Sequence, residues 1–228
     1  MTTIEANLRK VRSRIASACN AHHRPHDQVQ LLAVSKTFPV EDIRQAFACG
    51  QTAFGENYIA EALDKIRLLQ DLPLQWHCIG PIQSNKTRQV AEHFDWVHTI
   101  DRLKTAQRLS EQRPTHLPPL QVCIQVNVDG GANKSGVTPQ EALALALDVA
   151  KLDGLQLRGI MCIPEPAPDF EAQCALFKRA KAVFDQINTA GLGLDTLSIG
   201  MSADLEAAIA SGSTLVRLGT AIFGGRLN

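Results

Sequence analysis

The chain has 228 residues, 45% hydrophobic and 20% charged, with 23 Lys plus Arg balancing 23 Asp plus Glu. That composition belongs to a globular chain that buries a core. Zero net charge excludes a broad electrostatic footprint for nucleic acid or anionic lipid, though not a local anion site. No apolar run reaches the length of a membrane span. The expectation is one domain over residues 1–228 in a cytoplasmic protein, without membrane or nucleic-acid partners.

The first segment, "TTIEANLRKVRSRIASAC", carries Ile4, Leu8, Val11 and Ile15 at helical spacing. An Arg-rich presequence looks similar, but Glu5 lies inside the stripe, and the pattern suits a helix that covers the fold. His22, His23 and His26 follow beside Pro25. They read as a solvated helix end, and no metal is expected. The six cysteines form no CxxC pair and mostly sit in apolar contexts such as "VCIQV" and "IMCIP". They read as free thiols in a reducing compartment.

Short apolar or β-branched runs then recur: "LLAVS", "TAFG", "QWHCIG", "DWVHTI", "LQVCIQVNV", "LQLRGIMCI", "TLSIG" and "TLVRLG". A helical stretch follows each of the first seven, near 39–49, 57–70, 84–94, 101–112, 138–152, 170–189 and 202–212. The fifth has Thr138 as cap, Pro139 at the first helical position and Glu141 closing a capping box. The sixth lines up Phe170, Cys174, Phe177, Ala180, Val183, Phe184 and Ile187 on one side. The seventh is expected to be capped by Ser202 and stopped by Gly212.

Strands alternating with helices imply parallel pairing through right-handed crossovers. Eight such strands predict a closed (β/α)8 TIM barrel with an extra N-terminal helix. The alternative, an open doubly wound sheet, lacks a GxGxxG after its first strand. A barrel gathers the carboxyl ends of its strands into one mouth. That mouth would collect Lys36, Asn57, His77, His98, Asn127, Met161, Cys162, Met201, Ser202, Arg217, Gly219 and Thr220.

Two of those loops suggest an anion. Gly200, Met201 and Ser202 stand directly before a helix, and Gly219 and Thr220 stand just past the last strand. Barrels often hold phosphate at these two loops. Lys36, at the end of the first strand, is an amine that desolvation can turn into a nucleophile toward aldehydes. An aldehyde bearing a phosphate describes pyridoxal 5′-phosphate (PLP), and also some sugar phosphates. Arg217 is placed to face a ring nitrogen, and an arginine there keeps its own protons. His77 reads either as ligand-lining or as a hydrogen-bonded barrel histidine. Lys134, in "ANKSGV", reads as a second basic group for anionic ligands or for accepting the cofactor during transfer.

The segments "AVSKTFP", "FGENY", "WHCIGPIQSNK", "KSGV", "GIMCIP" and "LSIGMSADLEAAIASGSTLVRLGTAIFGGR" together resemble the pyridoxal phosphate homeostasis protein family (YggS/PROSC-like). The resemblance runs in order over nearly the whole chain. It implies a barrel like the N-terminal domain of alanine racemase. It implies PLP as a Schiff base on Lys36, with Met201, Ser202, Gly219 and Thr220 at the phosphate, Arg217 at the ring nitrogen and Asn57 close by. It implies buffering or delivery of the cofactor, with PLP-dependent apo-enzymes as recipients and no established turnover. A two-base racemase needs a second base opposite the lysine. The sole tyrosine, Tyr58, reads instead as part of a first helical turn. The competing functions are a PLP-dependent amino-acid racemase and a Schiff-base aldolase on a sugar phosphate. A monomer is expected.

Overall fold

The computed structural model describes residues 2–131 and 135–225. Eight strands follow in chain order: β1 (Gln30–Val34), β2 (Ala53–Glu56), β3 (Gln75–Cys78), β4 (Trp96–Ile100), β5 (Leu120–Gln125), β6 (Leu155–Met161), β7 (Thr196–Ser198) and β8 (Leu215–Leu218). They close into a parallel barrel in sequential order. The closing seam pairs β1 with β8, Leu32 opposite Arg217 and Ala33 opposite Leu218.

The helices are α1 (Thr3–Ala21), α2 (Val40–Ala48), α3 (Ile59–Leu68), α4 (Thr87–His93), α5 (Leu103–Gln112), α6 (Pro139–Val149), α7 (Phe170–Thr189), α8 (Leu205–Ala210) and α9 (Thr220–Phe223). The capping box at Thr138 and Glu141 forms as read. In α7 the apolar side is buried except Phe170, which is exposed and stacks on His22 at 6.3 Å. Phe170 opens the helix beyond the reach of the barrel, so the α1 end covers it rather than the core. The short α9 was not legible, because "TAIF" is a single turn.

Helix α1 packs against α2, α8 and α9, outside the seam where β8 meets β1. Its stripe is buried, and its polar side clasps the neighbours. Asn7 Nδ2 donates to the Ile222 carbonyl at 2.9 Å. Arg24 donates to the carbonyls of Ile209 and Ser213.

Strand side chains alternate between the helix layer and the barrel interior. Phe54, Trp76, Val97, Val216 and Leu218 belong to the large core under the helices. Leu32, Ala53 and Leu215 form one small interior cluster, and Trp96, Cys123 and Met161 another. The same alternation turns His77, His98, Ser198 and Arg217 inward, giving the barrel a polar layer.

Candidate functional site

Lys36 lies two residues past β1, half-buried, and its flanks are clamped. On one side the Ser35 amide donates to the Gly55 carbonyl at 3.0 Å. On the other, the Thr37 amide donates to Glu61 Oε1 at 2.6 Å, with Thr37 at φ 67. One ammonium ties both sides together. Lys65 Nζ donates to the Ser35 carbonyl at 2.7 Å, to Glu56 Oε1 at 2.7 Å and to Glu61 Oε1 at 2.6 Å. Those three acceptors match the three N–H bonds of an ammonium. Ser35 Oγ also donates to Glu56 Oε1, at 2.7 Å. Burial raises the Glu56 carboxyl above its ordinary pKa, against the opposing pull of Lys65.

The other end of the site is built by the loops after β7 and β8. The Arg217 amide, within β8, donates to the Gly200 carbonyl at 3.0 Å, which ties the loop after β7 to the last strand. Gly200 has φ +99, and a Cβ there would stand 2.5 Å from the Ala208 Cβ, so only glycine makes this turn. A Cβ on Gly219 would stand 3.0 Å from the Val34 carbonyl oxygen. The last strand thus ends pressed against the strand that carries Lys36.

Ser202 is not the cap of α8. The helix starts at Leu205 with Asp204 at its N-cap position. The Asp204 carboxylate accepts from the Met201 amide at 2.6 Å, and this draws 201–204 into a separate turn. Arg14 of α1 donates to the Ser202 carbonyl at 2.8 Å and pairs with Glu206. In α9 the first intrahelical donors are the Ile222 and Phe223 amides, both to the Gly219 carbonyl. The Thr220 and Ala221 amides precede that ladder, where helix N–H groups are available to an anion.

The guanidinium of Arg217 is buried in the barrel. Its Nη1 donates to the Ser198 carbonyl at 2.6 Å and to Ser198 Oγ at 2.7 Å, and Nη2 donates to the Cys162 carbonyl at 3.0 Å. Ser198 Oγ meets His98 Nδ1 at 2.9 Å, His98 Nε2 meets His77 Nδ1 at 2.9 Å, and His77 Nε2 meets Gln75 Oε1 at 3.0 Å. Strands β4 and β7 are not neighbours, so the His98–Ser198 contact crosses the interior. The His77 ring stacks on Trp96 at 5.2 Å, and Arg158 covers that indole at 4.9 Å.

Burial lowers the His77 pKa from 6.5 to about 3. It lowers His98 well below 6.5 too, with the charges of His77 and Arg217 adding to the effect. Both rings are therefore neutral in the fold, while the unfolded chain takes up protons below pH ~6.5. Stability is expected to be level above that pH and to fall below it. A ring that is neutral in the fold and protonated in the unfolded chain lowers stability by roughly 1 kcal/mol per pH unit below the unfolded pKa. By pH ~5.5 the His77 ring alone is expected to cost on the order of 1 kcal/mol, with His98 acting in the same direction. Urea midpoints at about pH 7.5 and 5.5 measure this, and equal midpoints would show that the rings are not buried neutral.

The structure brings together Lys36, Gly219, Thr220, Arg217 and the 200–202 turn along β1, β8 and β7. Asn57, directly after β2, has a buried Oδ1 with no hydrogen-bond partner among the described residues. Met201 is 39% exposed at the rim. His77 and His98 do not line the mouth: both are fully buried, and both nitrogens of each ring are engaged inside the barrel. Inward alternation from β3 and β4 puts them below the rim, which corrects the ligand-lining reading of His77. Lys134 lies outside the described residues. Sequence reasoning placed Glu56 at the end of the second strand without a role and missed Glu61 and Lys65. A signal existed, because Lys65 falls in the apolar row of α3 with Ile59 and Ala62, where a buried cation needs partners.

The alanine racemase N-terminal domain family matches residues 2–227. The chain is 58% identical to the pyridoxal phosphate homeostasis protein of Pseudomonas aeruginosa, over 99% of this chain and 97% of that one. It is 51% identical to the protein of that name from Escherichia coli, over 99% and 98% of the two chains. A solved structure of PipY from Synechococcus elongatus, with PLP bound, superposes with a TM-score of 0.84 at 36% identity, covering 97% of this chain and all of that one. An alanine racemase of Clostridium difficile, at 14% identity and a TM-score of 0.76, shares the barrel fold. The chain thus belongs to the pyridoxal phosphate homeostasis protein family, which is built on the barrel of the alanine racemase N-terminal domain.

Proposed function

We propose that this protein binds PLP at the barrel mouth and buffers or delivers it, with PLP-dependent apo-enzymes as recipients. One observation carries the reading. The lysine-bearing end of β1 and the glycine-lined end of β8 are pressed together, with the Gly219 Cβ position 3.0 Å from the Val34 oxygen. An amine and an anion cradle thereby share one seam. When bound, PLP supplies an aldehyde carbon open to a primary amine and a ring that absorbs visible light.

The residues present fit that group. Lys36 offers the amine. The hydroxyls of Ser202 and Thr220, and the backbone at Met201 and Gly219, offer donors to a phosphate. Arg217 offers N–H groups to a ring nitrogen and takes no proton from it. The unpartnered Asn57 Oδ1 offers a buried acceptor to a ligand hydroxyl. Lys65, whose ammonium bonds the residue before Lys36, has its N–H bonds committed to three oxygens and is withheld from the aldehyde.

Buffering is favoured over two-base racemisation by the position of Tyr58. It stands at the N-cap of α3 and is 56% exposed. A base opposing a ring-bound lysine must instead reach the other face of the ring. The protein is read as a cytoplasmic monomer.

Borohydride reduction of the PLP-loaded protein, followed by peptide mapping, tests the assignment. The pyridoxyl group is expected on the peptide carrying Lys36. Labelling confined to the peptide carrying Lys134, or to neither, would overturn it. Sustained turnover or α-carbon deuterium exchange with L- or D-amino acids would replace buffering with catalysis.

A further inference from the structure

The polar layer inside the barrel is continuous from the mouth toward the opposite end, and its hydrogen bonds can run in only one direction. Ser198 Oγ receives an N–H from Arg217 Nη1 at 2.7 Å. Its own hydroxyl proton then points to its other partner, His98 Nδ1, at 2.9 Å. A neutral His98 that accepts at Nδ1 carries its proton on Nε2 and donates to His77 Nδ1. His77 in turn carries its proton on Nε2 and donates to Gln75 Oε1 at 3.0 Å. The reverse direction would leave the Ser198 hydroxyl proton without an acceptor and would set the bare lone pair of His77 Nε2 against the acceptor oxygen Gln75 Oε1. Every member has a role that its neighbour requires, which is the condition for a stable buried network.

We propose that Ser198, His98, His77 and Gln75 are positioning residues for Arg217, forming a one-way hydrogen-bond chain that fixes its guanidinium beneath the cofactor mouth. The arginine is long and has many rotamers, and in a buried site an untethered fork would sample several. Serine alone could rotate its hydroxyl away. His98 holds it in place, and His77, stacked on Trp96 at 5.2 Å, holds His98. The chain ends on Gln75, which is half-buried at the start of β3 on the far side of the barrel from the mouth. A side chain distant from Lys36 therefore contributes to the orientation of a group at the site.

The direction of the chain stands on the protein alone. Its consequence for cofactor binding rests on the PLP reading above. Two measurements separate them. Nitrogen-15 spectra of the histidine side chains, taken on protein without PLP, are expected to show His77 and His98 as Nε2–H tautomers that do not titrate between about pH 5.5 and 8. An Nδ1–H tautomer at either ring would overturn the chain, whatever the protein does with PLP.

The second measurement uses PLP-loaded wild type, Ser198→Ala and Ser198→Thr. Loss of one hydrogen bond to the charged fork in Ser198→Ala is expected to raise the PLP dissociation constant about tenfold and to shift the visible absorption maximum. Ser198→Thr keeps the hydroxyl and is expected to restore both. Gln75→Leu, at the far end, is expected to leave the fold intact and move the His77 nitrogen-15 resonances. A Ser198→Ala protein with wild-type spectrum and affinity would overturn the positioning role. If wild type itself shows no visible band with PLP, the cofactor reading fails while the tautomer result still decides the chain.

Discussion

Lys36→Ala is expected to abolish the visible absorption band of the PLP-loaded protein and to make the cofactor dialysable. The proposed anion cradle at Ser202, Gly219 and Thr220 is untouched in this variant, so weak non-covalent binding is expected to persist. Affinity is expected to fall at least about a hundredfold, or ~2.7 kcal/mol. The fold is expected to persist, because the clamp on the neighbours of Lys36 uses Lys65. Thermal unfolding of the apo-protein checks that control. A Lys36→Ala protein that keeps its colour after dialysis would mean that another amine holds the cofactor. Lys65 is the competitor near Lys36 in space, and its engagement with Ser35, Glu56 and Glu61 argues against it.

Lys65→Met carries the largest expected effect on stability. The Lys65 and Glu56 side chains are 6% and 0% exposed and meet at 2.7 Å. Removing the ammonium leaves Glu56 as a buried carboxylate without its counter-charge. Breaking a buried pair from one side costs about 3–5 kcal/mol, or roughly 10 °C in Tm for a chain of this size. The Glu56→Gln, Lys65→Met double variant removes both charges and is expected to recover part of that loss. The single variant also frees the Ser35 carbonyl and the carboxylate that receives the Thr37 amide. Looser flanks around Lys36 are expected to weaken PLP binding even where the protein remains folded. Calorimetry on the two variants decides the matter, and a single variant as stable as wild type would show that the pair is not buried as described.

The elements were legible because each carries a local period. The eight apolar runs became the eight strands, and α7 spans Phe170–Thr189 as its stripe of apolar residues indicates. Parallel order and closure follow from alternation of strand and helix. Lys36, Gly219 and Thr220 could be placed because strand ends in such a barrel have only one destination. Ser202 was misassigned as a helix cap because serine before an apolar helix is a local signal. What overrode it was the Asp204 carboxylate reaching back to the Met201 amide.

The chain order of residues was enough to determine the barrel, its seam and the strand ends that carry the lysine and the glycines, since these depend on periodicity and chirality that any short window expresses. The partners of Lys65, and the line from Arg217 through Ser198, His98 and His77 to Gln75, depend on side chains up to 142 positions apart meeting in a space that exists only after closure. Local pattern marks His77 and His98 as inward-facing. Burial then requires each N–H to find an acceptor, and the assembled interior supplies it.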